Sequence, residues 1–284
     1  MLVNLAVIYK RLGQLGPAWN TVMEVQDLAG ELDDLRLTAH AFELQAEVKR
    51  ACGAFSEAIP LQEAAVEKVK ELGDDRRVLS LRAQLLTMKH VQGLAEFEET
   101  EAAIASLEDA RLADITPWLW IELAQAANDR AEVVARLERI GSDVTNRHMQ
   151  LLIDLATLRA ALLPGDDSSV STEAVTELVR RLAGDAAAPS DDGNGSGHAG
   201  GGAGAAVNLV DLEVVERPYG WWLLRRWYER YGSSQPAGAF PWAQQPERSQ
   251  VTEVLEQQGA GLPKALRASL DQQPARWEAD LIAD

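Results

Sequence analysis

The sequence is poor in cysteine and in long apolar runs. Its one cysteine, Cys52, excludes an intrachain disulfide, so nothing indicates an oxidising compartment. No run of about 18 apolar residues is present, which argues against a transmembrane helix and a membrane partner. The apolar N-terminus contains Asn4, Lys10 and Arg11 and lacks the regions of a signal peptide. We therefore expect a cytoplasmic protein.

Positive charge and aromatic residues are also scarce. The 27 basic residues are outnumbered by 44 acidic ones, which leaves a formal net charge of −17. Such a surface repels phosphate backbones, so we expect no nucleic-acid partner. Aromatic residues make up 6% of the chain and hydrophobic residues 46%, with many alanines, leucines and glutamates. This composition predicts an all-α fold.

Three glycines recur at equal steps of 40 residues, namely Gly13, Gly53 and Gly93. Apolar residues at helical spacing precede and follow the glycines, so each repeat is predicted to be a helix, a tight glycine turn and a second helix. These apolar residues are Leu5, Ile8, Tyr9, Leu12, Ala18, Val22, Val25 and Ala29 around Gly13, and Leu44, Val48, Cys52, Ala58, Ala65 and Val69 around Gly53.

The helical pattern continues less regularly to about residue 184. Thr116 followed by Pro117 is typical of a helix start, and Asn128 and Asp129 indicate a turn before the next helix. The following helical pattern stops at residues 164–165, a Pro-Gly pair. The sequence therefore predicts about five helical hairpins.

Repeat one resembles the tetratricopeptide repeat (TPR) family in a long form of about 40 residues per repeat. Lys49 and Lys89 replace the family's tyrosine in repeats two and three, and Glu98 replaces its alanine. The resemblance covers residues 1–184 and implies an α-solenoid of stacked antiparallel helical hairpins. Repeat one begins partway into its first helix, so the sequence is compatible with a longer array. The matching residues are Leu5, Ala6, Tyr9 and Ala18.

The rest of the chain divides into two parts. Residues 185–206 are rich in glycine and alanine and are predicted to be a flexible linker. Residues 207–284 are predicted to be a C-terminal helical segment that docks on the repeats as a cap, because so short a segment holds only a thin core of its own. The alternative is a separate binding unit.

An aromatic helix stands out at residues 217–232. One wide apolar face collects most of its large side chains, as expected for a helix that caps a solenoid. Trp222 instead falls on the charged face with Arg225 and Arg226, which leaves two alternatives: the arginines stack over its ring, or they frame an exposed hot spot. The apolar face consists of Trp221, Leu223, Leu224, Trp227, Tyr228 and Tyr231.

No residue pattern predicts a catalytic, metal or cofactor site. The four histidines, His40, His90, His148 and His198, have no neighbours at ligand spacing, and Cys52 lacks a recognisable basic partner. The linker contains a partial calcium-loop pattern, but Ala203 stands where the pattern requires glutamate. We therefore predict a protein that is not an enzyme and needs no cofactor or metal.

The TPR resemblance implies that the first helix of each hairpin lines a concave groove that binds a peptide or partner helix. We expect a partner with some basic and apolar character. The function expected is a protein-interaction scaffold or sensing module in a bacterial regulatory or signalling system. The alternatives are an accessory or assembly subunit of a larger complex and, in another class, a helical enzyme. The candidate partner-binding residues are Lys10, His40, Glu43, Glu47, Arg50, Thr87 and His90 in the groove, beside Val3, Val7 and Ala83, and Trp222, Arg225 and Arg226 on the aromatic helix.

Overall fold

The computed structural model describes residues 1–110, 112, 115–140, 147–163, 175, 178–179, 217–231 and 248–282. The described residues form α-helices joined by turns and short connections and contain no β-strand, as the composition predicts. In chain order the helices are α1 (Leu2–Arg11), α2 (Leu15–Leu32), α3 (Leu35–Ala51), α4 (Phe55–Glu71), α5 (Asp75–Val91), α6 (Phe97–Asp109), α7 (Thr116–Ala126), α8 (Arg130–Glu138), α9 (Arg147–Leu162), α10 (Arg217–Tyr231), α11 (Arg248–Gln258), α12 (Lys264–Asp271) and α13 (Gln273–Ile282).

A residue with a left-handed backbone conformation follows each of the first five helices, at steps of 20 residues. The φ angles are 68° at Gly13, 75° at Gly53 and 67° at Gly93, so the three glycines form the turns that their spacing predicts. Asp33 (49°) and Gly73 (70°) have the same conformation between the hairpins. The 40-residue repeat is therefore built from two 20-residue units, a subdivision the glycine spacing did not reveal because aspartate occupies one of the turns.

Aspartates start the helices that follow three of the connections. The carboxylate of Asp34 accepts a hydrogen bond from the backbone N–H of Leu37, at 3.0 Å, and Asp74 does the same for Arg77 at 3.0 Å. Asp129 caps the start of α8 in this way. These caps satisfy backbone donors that have no partner within the helix, so each new helix begins at a defined residue.

Consecutive helices pack in pairs and form a solenoid-like stack. Each hairpin pairs its two helices (α1 with α2, α3 with α4, α5 with α6, α7 with α8), and α2 and α4 also pack on the following hairpin. Among helices two apart in the chain, the close neighbours are α1 and α3, α5 and α7, and α7 and α9. These are all first helices of hairpins, so the first helices line the inner side of the stack.

Small and medium apolar residues form the core between the hairpins. Ala18, Ala58, Ala65, Val69 and Cys52 are fully buried. Small side chains allow close approach of the paired helices, and the packing of α4 between α3 and α5 depends on this. Cys52 is buried on an apolar face as its sequence position predicts.

Buried arginines connect the fourth and fifth hairpins. Arg130 Nε donates to the carbonyl of Ala160 at 3.0 Å, and its Nη2 donates to that of Leu163 at 2.8 Å. Arg159 on α9 reaches back to the carbonyl of Ala127. Each guanidinium therefore satisfies carbonyls at the C-terminal end of another helix, which allows the charge to be buried.

The aromatic helix α10 packs on α9. Leu223, Leu224 and Trp227 are buried in one cluster with Leu151, Leu155 and Leu158 of α9. Arg230 on the same helix donates to the carbonyl of Leu162 at 2.6 Å. The apolar face of α10 therefore covers part of the fifth hairpin.

Helices α11 to α13 lie against the first two hairpins. Leu255, Leu266 and Leu270 are buried with Leu15 and Val48. Gln273 Nε2 donates to the carbonyl of Ala51 at 2.6 Å, and Arg276 donates to that of Gly53. The C-terminal helices thus span from the fifth hairpin back to the first two.

Among the described residues, no helix combines the length and the apolar character needed to cross a bilayer. Several predictions fall outside the described residues: the helix stop at residues 164–165, the linker at residues 185–206 and the partial calcium loop within it.

Candidate functional site

The predicted groove residues of α1 and α3 meet in an ion pair. Lys10 Nζ lies 2.7 Å from Glu47 Oε2, and both side chains are half-buried. Burial alone would raise the pKa of Glu47, but the charge and hydrogen bond of Lys10, helped by Arg50 and Arg11, outweigh it and lower that pKa. Glu47 is therefore a carboxylate held in its ionised form.

A second cluster joins α3 to α5 through Arg77. Its Nη1 lies 3.1 Å from His40 Nε2 and its Nη2 lies 2.8 Å from His40 Nδ1, and Nη2 also donates to Glu43. Burial and then the Arg77 charge lower the pKa of His40. Burial raises the pKa of Glu43 despite the opposing effect of Arg77. The cluster therefore disfavours a charged imidazole.

The third pair, between Arg50 and Glu122, joins α3 to α7. Both side chains are about one-third exposed, so the pair lies at the accessible inner side of the stack. With the pairs Lys10–Glu47 and Arg77–Glu43 it forms a polar surface of three cations and three carboxylates from four first helices. We call this set the inner polar surface.

Sequence reasoning predicted four members of the inner polar surface and His40 beside it, but missed Arg77 and Glu122. Arg77 lies in the first turn of α5, ahead of the positions taken from the repeat alignment. Glu122 lies in α7, where the repeat pattern is too irregular to give a register. The 40-residue step from Glu43 through Ala83 leads to the fully buried Leu123, so the repeat gives no signal for Glu122.

Neither of the predicted binding residues of α5, Thr87 and His90, belongs to the inner polar surface. Thr87 is wrong as an accessible groove residue, because its side chain is fully buried and its hydroxyl donates to the carbonyl of Ala83 at 2.9 Å. His90 is half-buried: Nδ1 lies 3.0 Å from the carbonyl oxygen of Ala95, and the ring lies 5.7 Å from that of Phe97. His90 therefore supports the turn between α5 and α6.

Trp222 is not an exposed hot spot. Only 8% of it is exposed, because its ring stacks on Tyr219 (6.2 Å between centroids) and meets Trp277 of α13 at 5.9 Å. Arg226 lies over the ring at 5.8 Å, which is the stacking alternative. The helical wheel of α10 places Trp222 among charges and does not show its contact with Trp277 of the distant helix α13.

Arg225 and Arg226 are held by carboxylates rather than open to a partner. Both donate to Glu229, at 2.8 Å and 2.9 Å, and Arg226 also pairs with Glu278 of α13. Burial would raise the pKa of Glu229, but the two arginines outweigh it and lower that pKa. The pair Arg226–Glu278 attaches α13 to α10, whereas the pairs with Glu229 lie within α10.

A buried cysteine and possible metal ligands also lie in the described part of the chain. Burial raises the pKa of Cys52 to about 12, so the thiol stays protonated and is a poor nucleophile. Within the described ranges, no group of three or more histidine, cysteine, aspartate or glutamate side chains is placed to hold a metal ion.

Comparisons with known proteins identify no relative. No protein-family model matches the chain, and neither the curated proteins nor the solved structures contain a match.

Proposed function

We propose that this protein is a TPR-like protein-interaction module that binds a peptide or partner helix on its inner polar surface. The observation that carries the proposal is the convergence of charged side chains from α1, α3, α5 and α7 on one accessible side. Solenoids of helical hairpins commonly use such a side to bind extended or helical ligands. The module would act as a scaffold or sensor within a regulatory or signalling system and would carry out no chemistry itself.

The ion pairs suggest how a ligand is recognised. Glu43 and Glu47 are neutralised by Arg77 and Lys10, each from a neighbouring helix. A basic side chain of a ligand can compete with these cations for the two carboxylates, so that no carboxylate is left unpaired on binding. The inner polar surface therefore favours a partner with basic residues, joined by apolar ones that contact the half-buried Val3 and Val7.

Peptide selection tests the proposal. A displayed library of random peptides is enriched on the intact chain, and the affinity of the enriched peptides is measured by fluorescence anisotropy. We expect basic and apolar residues in the enriched sequences, and we expect the combined substitution Glu43→Gln and Glu47→Gln to weaken binding by about tenfold or more.

Glu67→Gln provides the matched control. Glu67 lies on the second helix α4 and pairs with Lys70 at 2.8 Å, away from the inner polar surface. This variant should bind as the wild type does. Enriched peptides that bind the Glu43/Glu47 variant and the wild type equally well would refute the proposal.

A further inference from the structure

Trp277 of α13 contacts two hydrophobic clusters that belong to opposite ends of the stack. Its ring meets those of Tyr219 and Trp222 of α10, with centroids 5.3 Å and 5.9 Å apart. Through these contacts it packs on the cluster formed around α9 and α10. It also packs on the cluster of the first two hairpins, which includes Leu15 and Val48. This half-buried side chain thus joins the fifth hairpin to the first two.

The residues on either side of Trp277 attach α13 to the same two ends. Glu278 pairs with Arg226 of α10, and both side chains are about one-third exposed. Arg276 donates to the carbonyl of Gly53, in the turn that follows α3. Backbone carbonyls at the end of a helix lack a partner within that helix, so a guanidinium is a favourable donor there. Three successive residues of α13 therefore connect the two ends.

The neighbouring helices α11 and α12 make the same connection. Leu255 of α11 and Leu266 and Leu270 of α12 are at most 4% exposed, and they belong to the cluster of the first two hairpins. Helix α11 also packs on α10. We call the three helices α11 to α13, residues 248–282, the C-terminal strap. The strap is anchored on the first two hairpins by buried leucines and contacts α10 at its other side.

The strap acts on the same motion as a contact on the inner side of the stack. Arg50 of α3 pairs with Glu122 of α7, although the third hairpin lies between these helices in the chain. In a stack of hairpins each repeat contacts mainly its neighbours, and the curvature is the sum of small rotations between them. A connection between the first two hairpins and the fifth limits this sum directly. Loss of the connection would let α3 and α7 move apart.

We propose that the C-terminal strap holds the solenoid in its closed curvature and that Trp277 is the contact at which it opens. When the ring of Trp277 leaves Tyr219 and Trp222, the fifth hairpin moves away from the first two, and Arg50 separates from Glu122. Ligand binding, in the part of this inference that rests on the proposed function, is strongest in the closed form, because the inner polar surface spans α1 to α7.

Distances between spin labels on introduced cysteines measure the curvature. Cys52 is buried and its pKa is raised to about 12, so exposed cysteines are labelled selectively. Glu24→Cys on α2 and Ala135→Cys on α8 change exposed residues of the first and fourth hairpins. Double electron–electron resonance gives the distance between the two labels. We expect the combined variant Trp277→Ala with Glu278→Lys to lengthen it by about 5 Å or more.

Two controls distinguish a change of curvature from unfolding. Labels at Glu24 and Glu67, on α2 and α4 of neighbouring hairpins, should keep their distance in the combined variant. Trp277→Phe keeps an aromatic ring against α10 and should retain the wild-type distance between the first and fourth hairpins. Circular dichroism checks the helical content. If the combined variant loses helical content, Glu278→Lys alone replaces it in every comparison, because this substitution changes only a partly exposed ion pair.

A double-mutant cycle provides a second measurement. In the combined variant, the coupling energy between Arg50 and Glu122 in urea unfolding should fall to about half of its wild-type value or less. The proposal is overturned if the distance between the first and fourth hairpins is unchanged, if the control distance lengthens equally, or if the coupling persists in full.

Peptide affinity tests the consequence for ligand binding. Peptides selected on the wild type should bind the combined variant about fivefold more weakly or worse. Equal affinities would overturn the link between the strap and ligand binding. A selection that enriches no peptide would count against the proposed function, whereas the label distances, which need no ligand, decide on the strap itself.

Discussion

Arg50 and Glu122 form an ion pair between α3 and α7, across the intervening hairpin of α5 and α6. The two residues are 72 positions apart in the sequence. Their contact requires the first helices to converge on the inner side of the stack, as the packing of α5 with α7 and of α7 with α9 also indicates. The pair therefore forms only because the solenoid curves enough to bring α3 and α7 together.

A double-mutant cycle with Arg50→Gln and Glu122→Gln tests this contact. Because both side chains are partly buried, we expect a coupling energy of about 0.5–1 kcal/mol in the free energy of unfolding measured with urea. The pair Glu67 and Lys70 is the control, since both are more than half exposed and lie on one helix. Its coupling should be smaller. Absence of coupling between Arg50 and Glu122 would show that the pair does not stabilise the contact between α3 and α7.

Two turn glycines differ only in their surroundings. A Cβ atom at Gly53 would lie 3.0 Å from Arg276 Nη1 and 3.3 Å from Gln273 Cγ, whereas one at Gly73 would meet nothing within 4 Å. Alanine at either position costs about 1–2 kcal/mol because φ is positive. We expect a larger loss in urea unfolding for Gly53→Ala than for Gly73→Ala. The excess should become smaller in an Arg276→Ala background, where only the contact with Gln273 remains, and an unchanged excess would count against this explanation.

The start of α2 depends on a close approach of the C-terminal helices. A Cβ atom at Gly16 would lie 1.9 Å from the carbonyl oxygen of Ala260, so Gly16→Ala must displace the backbone there. We expect a loss of about 2 kcal/mol or more in thermal or urea unfolding. At Gly30, which is exposed and has free space, Gly30→Ala should instead stabilise the protein by up to about 1 kcal/mol. Equal effects of the two substitutions would show that Ala260 does not pack on Gly16.

The environment of His40 predicts a pH dependence of stability. Burial, Arg77 and Arg36 lower its pKa from the ordinary 6.5, and Asp34 opposes them only partly. The unfolded chain therefore binds a proton at His40 more readily than the folded chain does. The stability that depends on a neutral His40 is present above pH 6.5 and is lost as the pH falls below it. Between about pH 7.5 and about pH 5.5, we expect His40→Gln to lose less stability than the wild type.

Urea unfolding at the two pH values measures this difference. Burial raises the pKa of Glu43, so as the pH falls this group takes up a proton more readily in the folded chain than in the unfolded one, which opposes the effect of His40. Introducing Glu43→Gln into both the wild type and the His40→Gln variant removes the contribution of Glu43. If His40→Gln and the wild type then show the same pH dependence, His40 is not the group responsible.

The repeat architecture was predictable from the sequence because its causes are local. A left-handed turn requires glycine or a similarly tolerant residue, and helical spacing of apolar residues follows from the geometry of a single helix. Gly13, Gly53 and Gly93 therefore predict the turns correctly. Asp33 at an equivalent turn was missed because aspartate is not specific for this conformation.

The candidate site was predictable only in part. Lys10, Glu43, Glu47 and Arg50 lie on the inner side because they occupy one face of the first helices of their hairpins. Their partners are set by packing between hairpins, which the sequence pattern of a single helix does not show. Thr87 belongs to the same pattern and yet is fully buried, because the neighbouring helices cover that part of α5.

The sequence by itself determined the helices, the turns and the small residues between paired helices. The tertiary structure alone decided which charges pair across the stack, as with Arg50 and Glu122, and which aromatic side chains are buried, as with Trp222 beneath Trp277 of α13. Small packing angles add up from hairpin to hairpin, so residues far apart in the chain meet only when the complete stack sets its curvature. Local sequence patterns do not encode the curvature of the whole stack.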